Sequence, residues 1–161
     1  MTNLDIHIPI QVFNSIDELS TADAALVTNA RTVTDTAYAP YSNFLVGAAA
    51  MMQNGQVLTG TNQENASYPV GICAERVLIG NAATILPHVP INTMAISYKN
   101  LGGESAKPIS PCGMCRQVLA EYEVRVKQPI RLILSGQTGQ IFIIEKAAQL
   151  LPLTFTPDDL K

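Results

Sequence analysis

The sequence feature that most restricts the fold is a pair of short apolar runs near the C-terminus, IRLIL at 130–134 and QIFII at 140–144. Only the five residues SGQTG separate the two runs. A parallel pair of strands needs a crossover of about a dozen residues or more, so these two strands must pair as an antiparallel hairpin. Any fold for the chain therefore contains an antiparallel pair at this place.

Helical and strand patterns alternate along the rest of the chain. Apolar residues recur at helical spacing behind a capping residue, Ser20, and Asn54-Gly55 is a strong two-residue hairpin turn. We predict helices over 20–39, 73–86 and 111–123, with Pro40 just past the end of the first, and a short one around 145–151. We predict strands within the hairpin 44–62, at 91–98 and in the two C-terminal runs. Five strands alternating with helices predict an α/β protein with a mixed sheet and helices on both faces.

Length and charge narrow the possible functions. With 161 residues, we expect a single domain over 1–161, in which 1–16 form an extended N-terminal arm of unassigned role. The net charge is −3 and no run of Lys or Arg occurs, which argues against nucleic acid as a partner and favours a small neutral substrate. No apolar run is long enough for a membrane helix, and the N-terminus lacks a signal-peptide pattern, so we expect a cytoplasmic protein.

Three cysteines, in two groups, are the candidates for chemistry. Cys73 stands in CAE, and Cys112 and Cys115 stand in SPCGMCRQ. Both groups follow a loop and open a predicted helix, where the partial positive charge of the helix N-terminus favours a thiolate. Three cysteines in a presumed cytoplasmic chain argue against a disulfide framework. If a sheet brings the two helix starts together, three thiolates meet at one point.

Three sulfur ligands without a fourth protein ligand predict an open zinc site. His7 lies in the arm and His88 lies past the far end of the Cys73 helix, so neither is placed to complete the site. Catalytic zinc keeps its fourth position for water, whereas structural zinc is normally closed. Glu75 would lie in the same helical turn as Cys73, near the metal, and could carry a proton. C-A-E followed at a distance by P-C-x-x-C is the signature of zinc deaminases in its all-cysteine form.

Simpler explanations exist for each of these residues. The C-x-x-C pair could be a thioredoxin-like redox pair, the zinc could be structural, and a lone Cys73 could be a small buried hydrophobic residue. Elsewhere in the chain, Asn62 and Glu64 could belong to a solvated turn, Phe44 and Phe155 to core packing, and Arg76 and Tyr68 to the surface.

Taken together, the motifs resemble the cytidine deaminase family, specifically its small, usually homotetrameric branch. The resemblance starts at about Ala37 and rests on the stretches AYAPYSNF, VGAA, TNQENASY, ICAER, SPCGMCRQVLAE and LLPLTFTPDDL. It implies a three-layer α/β/α sandwich around a five-stranded mixed sheet whose last two strands are antiparallel. It also implies one zinc ion per chain and a homotetramer with shared active sites.

The resemblance also implies roles for individual residues. Cys73, Cys112 and Cys115 match the zinc ligands, and Glu75 matches the proton shuttle. Asn62 and Glu64 match the pair that bonds the ribose hydroxyls. The remaining matches are Phe44 and Ala74 at the substrate, Arg76 as a donor to the thiolates, and Tyr68 and Phe155 as aromatic residues that reach a neighbouring subunit's site.

The activity implied is hydrolytic deamination of cytidine and 2′-deoxycytidine to uridine and 2′-deoxyuridine, in pyrimidine salvage. A related enzyme acting on another aminonucleoside, such as blasticidin S, is the alternative. Three features depart from the family pattern: the long arm before Asp17, the loop SYPVG, and the loop 99–108. The second could shift substrate preference, and none of them removes a motif residue.

Overall fold

The computed structural model describes residues 1–161 and contains one six-stranded sheet in the order β1-β6-β5-β4-β2-β3. Its strands are β1 (Gln11–Phe13), β2 (Phe44–Met52), β3 (Val57–Thr61), β4 (Ile91–Asn100), β5 (Arg131–Leu134) and β6 (Ile141–Ile144). Its α-helices are α1 (Thr21–Val33), α2 (Ala74–Ile85) and α3 (Gly113–Val126). Short 3-10 helices occur at Ile16–Glu18, Thr34–Thr36, Tyr68–Val70, Ala147–Leu150 and Pro157–Leu160.

Both predicted hairpins are confirmed. β5 and β6 pair antiparallel, with Leu132 opposite Ile144. β2 and β3 pair antiparallel around a turn in which Gly55 has a φ of 85°, a conformation that favours glycine. β4 and β5 run parallel, so the sheet is mixed, as predicted.

The prediction of five strands is wrong, because the N-terminal arm supplies a sixth. β1 pairs antiparallel with β6, with Val12 opposite Phe142. Without β1, the outer backbone groups of β6 would be left without a strand partner, and a free sheet edge is open to unwanted pairing. Three residues are too few for a strand to be visible as a sequence pattern, which is why the arm was expected to be merely extended.

Apolar side chains form two buried clusters. One contains Leu78 of α2 and Leu119 of α3, and the other contains Val27 and Ala30 of α1. Consecutive residues of a strand point to opposite faces, and Ala49 belongs to the α1 cluster while both of its neighbours belong to the other. None of the helices has the length and apolar character that crossing a membrane requires.

Local rules explain where the helices begin and end. The Ser20 hydroxyl accepts a hydrogen bond from the amide of Asp23 at 3.2 Å and starts α1 as predicted. Cys73 and Cys112 occupy the N-cap positions of α2 and α3, and neither side chain caps its helix. The two thiols are therefore free for another partner. α3 ends at Val126 and is followed by the C-cap residue Lys127, which adopts a left-handed conformation.

Candidate metal centre and active site

The three cysteines converge on one point. Their sulfur atoms all lie within 4.8 Å of one another, with 3.8 Å between Cys73 and Cys112 and 3.5 Å between Cys112 and Cys115. All three are free thiols, and they range from exposed (Cys112) to buried (Cys115). The sheet brings the starts of α2 and α3 together, as the sequence predicted.

The spacing and chemistry of this cluster fit a zinc ion. Sulfurs bound to one tetrahedral zinc at about 2.3 Å lie roughly 3.8 Å apart, close to the two measured distances. A hydrogen bond from Cys115 lowers the pKa of the Cys73 thiol to about 6, although burial and the charge of Glu75 oppose this. Donation to Cys73, together with burial, raises the pKa of Cys115. The pKa values of these two neighbouring thiols are therefore shifted in opposite directions.

Glu75 lies beside this cluster. Its side chain is only 4% exposed, in the first turn of α2, and burial raises the pKa of its carboxyl group. Glu75, Cys73 and Cys112 line the same cavity of about 270 Å³. A buried carboxyl group and two thiols of the three-cysteine cluster therefore share one small space, an arrangement that suits proton transfer next to a metal.

Comparison with known proteins agrees with this chemistry. A family model described as the zinc-binding region of cytidine and deoxycytidylate deaminases matches residues 20–128. The chain belongs to this family. The matched region holds the three cysteines and Glu75, whereas β1 and Phe155 lie outside it.

Curated relatives and solved structures extend the match. The cytidine deaminase of Halalkalibacterium halodurans is 38% identical over 124 residues, which cover 77% of this chain and 86% of the relative. That of Sporosarcina psychrophila is 34% identical over 138 residues, or 84% and 92% of the two chains. The crystal structure of cytidine deaminase from Burkholderia pseudomallei aligns with a TM-score of 0.72 at 36% identity, covering 85% of this chain and 100% of that one.

Asn62 and Glu64, the expected ribose pair of the family, line the same cavity as the cluster. Asn62 Oδ1 accepts from the amide of Val46 at 2.7 Å, and its Nδ2 donates to the carbonyl of Phe44 at 2.9 Å. These bonds orient the amide and leave it one acceptor site and one N–H.

The Glu64 carboxylate is held from one side only. Glu64 Oε2 accepts from the amides of Tyr41 and Ser42 at 3.0 and 3.3 Å. Hydrogen bonds from Ser42 and from the amide of Tyr41 lower the pKa of the carboxyl, so it is ionised at neutral pH. Glu64 Oε1 bonds no protein group and is available to a ligand hydroxyl.

The aromatic candidates of the family pattern are more dispersed. Tyr68 lines the same cavity as Cys73 and Cys112 but is 74% exposed. Phe44 stacks on Tyr98, with ring centroids 4.7 Å apart, and lines an adjacent cavity that shares Ile109 with the first. Phe155 is 59% exposed and lines a separate cavity beside the C-terminal half of α3.

Two other expected residues lie close to the cluster without facing the cavity. Ala74 is fully buried in the core at the start of α2. Arg76 makes no side-chain hydrogen bond to a thiol, and its charge favours the ionised forms of Cys73 and Glu75. The resemblance implied a direct bond from Arg76 to the thiolates, and that bond is not formed.

Sequence reasoning overlooked Arg116 and Gly60. Arg116 follows Cys115 and donates to the carbonyls of Pro111 and Leu150, both at 2.9 Å. A cation directly after the C-x-x-C pair was the available signal. Gly60 of β3 lies against the first turn of α2; a glycine within a strand, which often marks a close backbone approach, was the signal there.

Proposed function

We propose that this chain is a zinc-dependent cytidine deaminase, which converts cytidine and 2′-deoxycytidine with water into uridine and 2′-deoxyuridine and releases ammonia. The observation that carries the proposal is the buried Glu75 carboxyl in one cavity with two of the three clustered thiols. Membership of the cytidine and deoxycytidylate deaminase family supports it. The corresponding physiological role is pyrimidine salvage in the cytoplasm.

Cys73, Cys112 and Cys115 would hold one zinc ion per chain. Thiolate ligands suit zinc, and the cluster's sulfur spacing agrees with that of a single tetrahedral ion. When bound, zinc supplies a Lewis acid that makes hydroxide available near neutral pH. The two helix N-termini and the charge of Arg76 offset part of the negative charge of three thiolates.

Glu75 carries the protons of the reaction. Its carboxylate accepts a proton from the attacking water and delivers it to N3 of the cytosine ring, which makes C4 a better electrophile. The same carboxylate then takes the proton of the hydroxyl group now on C4 and passes it to the amino nitrogen; the C4–N bond breaks, ammonia leaves, and C4 keeps its oxygen as a carbonyl. Its burial in the cavity wall supports this role, because a fixed carboxyl group shielded from bulk water exchanges its proton with the substrate rather than with solvent.

Asn62 and Glu64 recognise the sugar. A ribose hydroxyl can donate to Glu64 Oε1 and accept from the remaining N–H of Asn62. A site built to bond a hydroxyl group rejects analogues that lack it, because its own polar groups are then left unpaired. We therefore expect free cytosine to be a poor substrate. Phe44, which stacks on Tyr98, would pack against the nucleoside, and Ala74 would contribute through its backbone.

We further propose a homotetramer with shared active sites, built from three-layer α/β/α subunits. The two apolar clusters support the three layers. Tyr68, Val70, Leu153 and Phe155 are large apolar or aromatic residues that are more than half exposed in the single chain. Such residues mark association surfaces when they are grouped, and Phe155 in particular would reach a neighbouring subunit's cavity.

The decisive test is Glu75→Gln. Glutamine keeps the shape but cannot carry the proton, so we expect zinc to be retained while kcat on cytidine falls by at least about 100-fold. Turnover is followed by ultraviolet absorbance, and zinc is measured on the same sample. Glu121→Gln, on the exposed side of α3, is the matched control. Near-normal turnover in the zinc-loaded Glu75→Gln protein would refute the proposal; an inactive but zinc-loaded natural chain would direct the search to blasticidin S and modified cytidines.

A further inference from the structure

We propose that Arg116 is a positioning residue that sets the place of Cys112 and Cys115 before a metal binds. The inference rests on the proposed function only in taking the three cysteines as metal ligands. Arg116 follows Cys115 in the first turn of α3 and is half-buried. All of its side-chain hydrogen bonds go to backbone carbonyls, so its role differs from that of a donor to sulfur.

Arg116 holds the backbone on both sides of Cys112. Its side-chain Nε donates to the carbonyl of Pro111, just before Cys112, and its own amide donates to the carbonyl of Cys112, both at 2.9 Å. The φ and ψ of Cys112, −68° and 171°, lie between these two bonds. Since the backbone torsions direct the Cα–Cβ bond, holding both flanking peptides limits where the sulfur can point.

The second side-chain hydrogen bond of Arg116 connects this segment to another element of the fold. Arg116 Nη1 donates to the carbonyl of Leu150, the last residue of the 3-10 helix Ala147–Leu150. That helix is held at its other end by the buried Glu123 carboxyl, which accepts from the amides of Ala147 and Ala148 at 3.0 and 3.3 Å. Arg116 thus connects the peptide before Cys112 to an element fixed on the far half of α3.

The corresponding position on α2 lacks this device. That position, four residues after the N-cap, is Val77, whose amide donates to the carbonyl of Cys73 at 3.1 Å, as that of Arg116 does for Cys112. The side chain of Val77 has no hydrogen-bond donor, and that of its neighbour Arg76 makes no hydrogen bond. The pair of side-chain bonds from Arg116 to the carbonyls of Pro111 and Leu150 is therefore particular to α3. This helix supplies two of the three sulfurs, and a displaced helix start would move both of these sulfurs.

The test is zinc affinity, measured by competition with a chromogenic chelator, alongside the melting temperature of the metal-free protein. We compare R116Q, R116K and a matched control, R31Q. Arg31, on α1, donates through the same Nε to a backbone carbonyl, that of Gly136, at the same 2.9 Å. Each glutamine variant loses an arginine hydrogen bond to a backbone carbonyl, but only in R116Q does that bond lie beside the cysteines.

We expect R116Q to raise the zinc Kd at least about tenfold, and R31Q to leave it unchanged at a comparable loss of melting temperature. R116K keeps the charge but lacks the planar fork that reaches two carbonyls in different directions, so its Kd should rise as in R116Q. Equal zinc Kd values for R116Q and R31Q would overturn the inference. Natural zinc affinity in R116K would overturn it as well, and R116K serves as the test if R116Q does not fold. A natural chain that binds no zinc would instead overturn the proposed function itself.

Discussion

Gly60→Ala tests how closely α2 must approach the sheet for the metal centre to form. A methyl group on Gly60 would lie 2.6 Å from both the carbonyl oxygen of Ala74 and the amide nitrogen of Leu78. Ordinary contact at such a carbon begins at 3.4 Å. Both obstructing atoms belong to the backbone of α2, which cannot rotate away as a side chain does. The start of α2 must therefore move by roughly 0.8 Å, the difference between these two distances.

A shift of that size is large for the centre. The first turn of α2 and its cap carry Glu75 and Cys73, and the Cys73 and Cys112 sulfurs are 3.8 Å apart. Metal–ligand distances tolerate only about 0.2 Å of error, and misplacing a catalytic group by about 1 Å can cost 100-fold in rate. We expect Gly60→Ala to weaken zinc binding at least about tenfold, to lower kcat by up to about 100-fold, and to lower the free energy of unfolding by about 1–3 kcal/mol.

The assay combines chelator competition for zinc, turnover of cytidine and urea denaturation of the metal-free protein. Gly80→Ala is the matched control, because Gly80 lies in the same helix but has open space where its methyl group would stand. Alanine favours a helix over glycine by up to about 1 kcal/mol, so this control should raise stability and leave zinc affinity and kcat unchanged. A Gly60→Ala protein with natural zinc affinity and turnover would refute the reasoning.

Two further predictions concern the scaffold. Gly139 has a φ of 77°, and a methyl group there would overlap the carbonyl oxygen of Ala106, whereas Gly55, at 85°, has open space around it. Urea denaturation should therefore show a larger loss of unfolding free energy for Gly139→Ala than the about 1–2 kcal/mol expected for Gly55→Ala, and equal losses would contradict the Ala106 contact. Asp23 accepts two hydrogen bonds from Arg131, at 2.7 and 3.1 Å. Burial alone would raise the pKa of Asp23, but these bonds and the charge of Arg131 outweigh it and lower the pKa below its ordinary 3.8. This stabilisation is present above the unfolded pKa and is lost as pH falls through the folded one, so Asp23→Asn should cost about 1–3 kcal/mol at pH 7 and progressively less below about pH 4. A cost that stays constant between pH 7 and pH 3 would show that the ion pair is not its source.

Several features of the fold could be predicted because the interactions that create them are local. The turn at Asn54-Gly55, the cap at Ser20 and the short gap between β5 and β6 each depend on a few consecutive residues. The same holds for the cysteines, because a helix start is a property of four or five neighbouring residues. Residue types at short spacing were enough to indicate the candidate zinc ligands, the neighbouring Glu75 and the family.

The features that sequence reasoning missed depend on contacts between distant parts of the chain. β1 is only three residues long, and its partner β6 lies about 130 residues away in the sequence. Arg116 reaches the carbonyl of Leu150 across 34 residues, and Gly60 matters only because α2 crosses it. The sequence by itself determined which groups could bind a metal and move a proton. Tertiary structure alone decided the sulfur spacing, the burial of Glu75 and the sixth strand, because these depend on how several segments, each marginal alone, pack together at once.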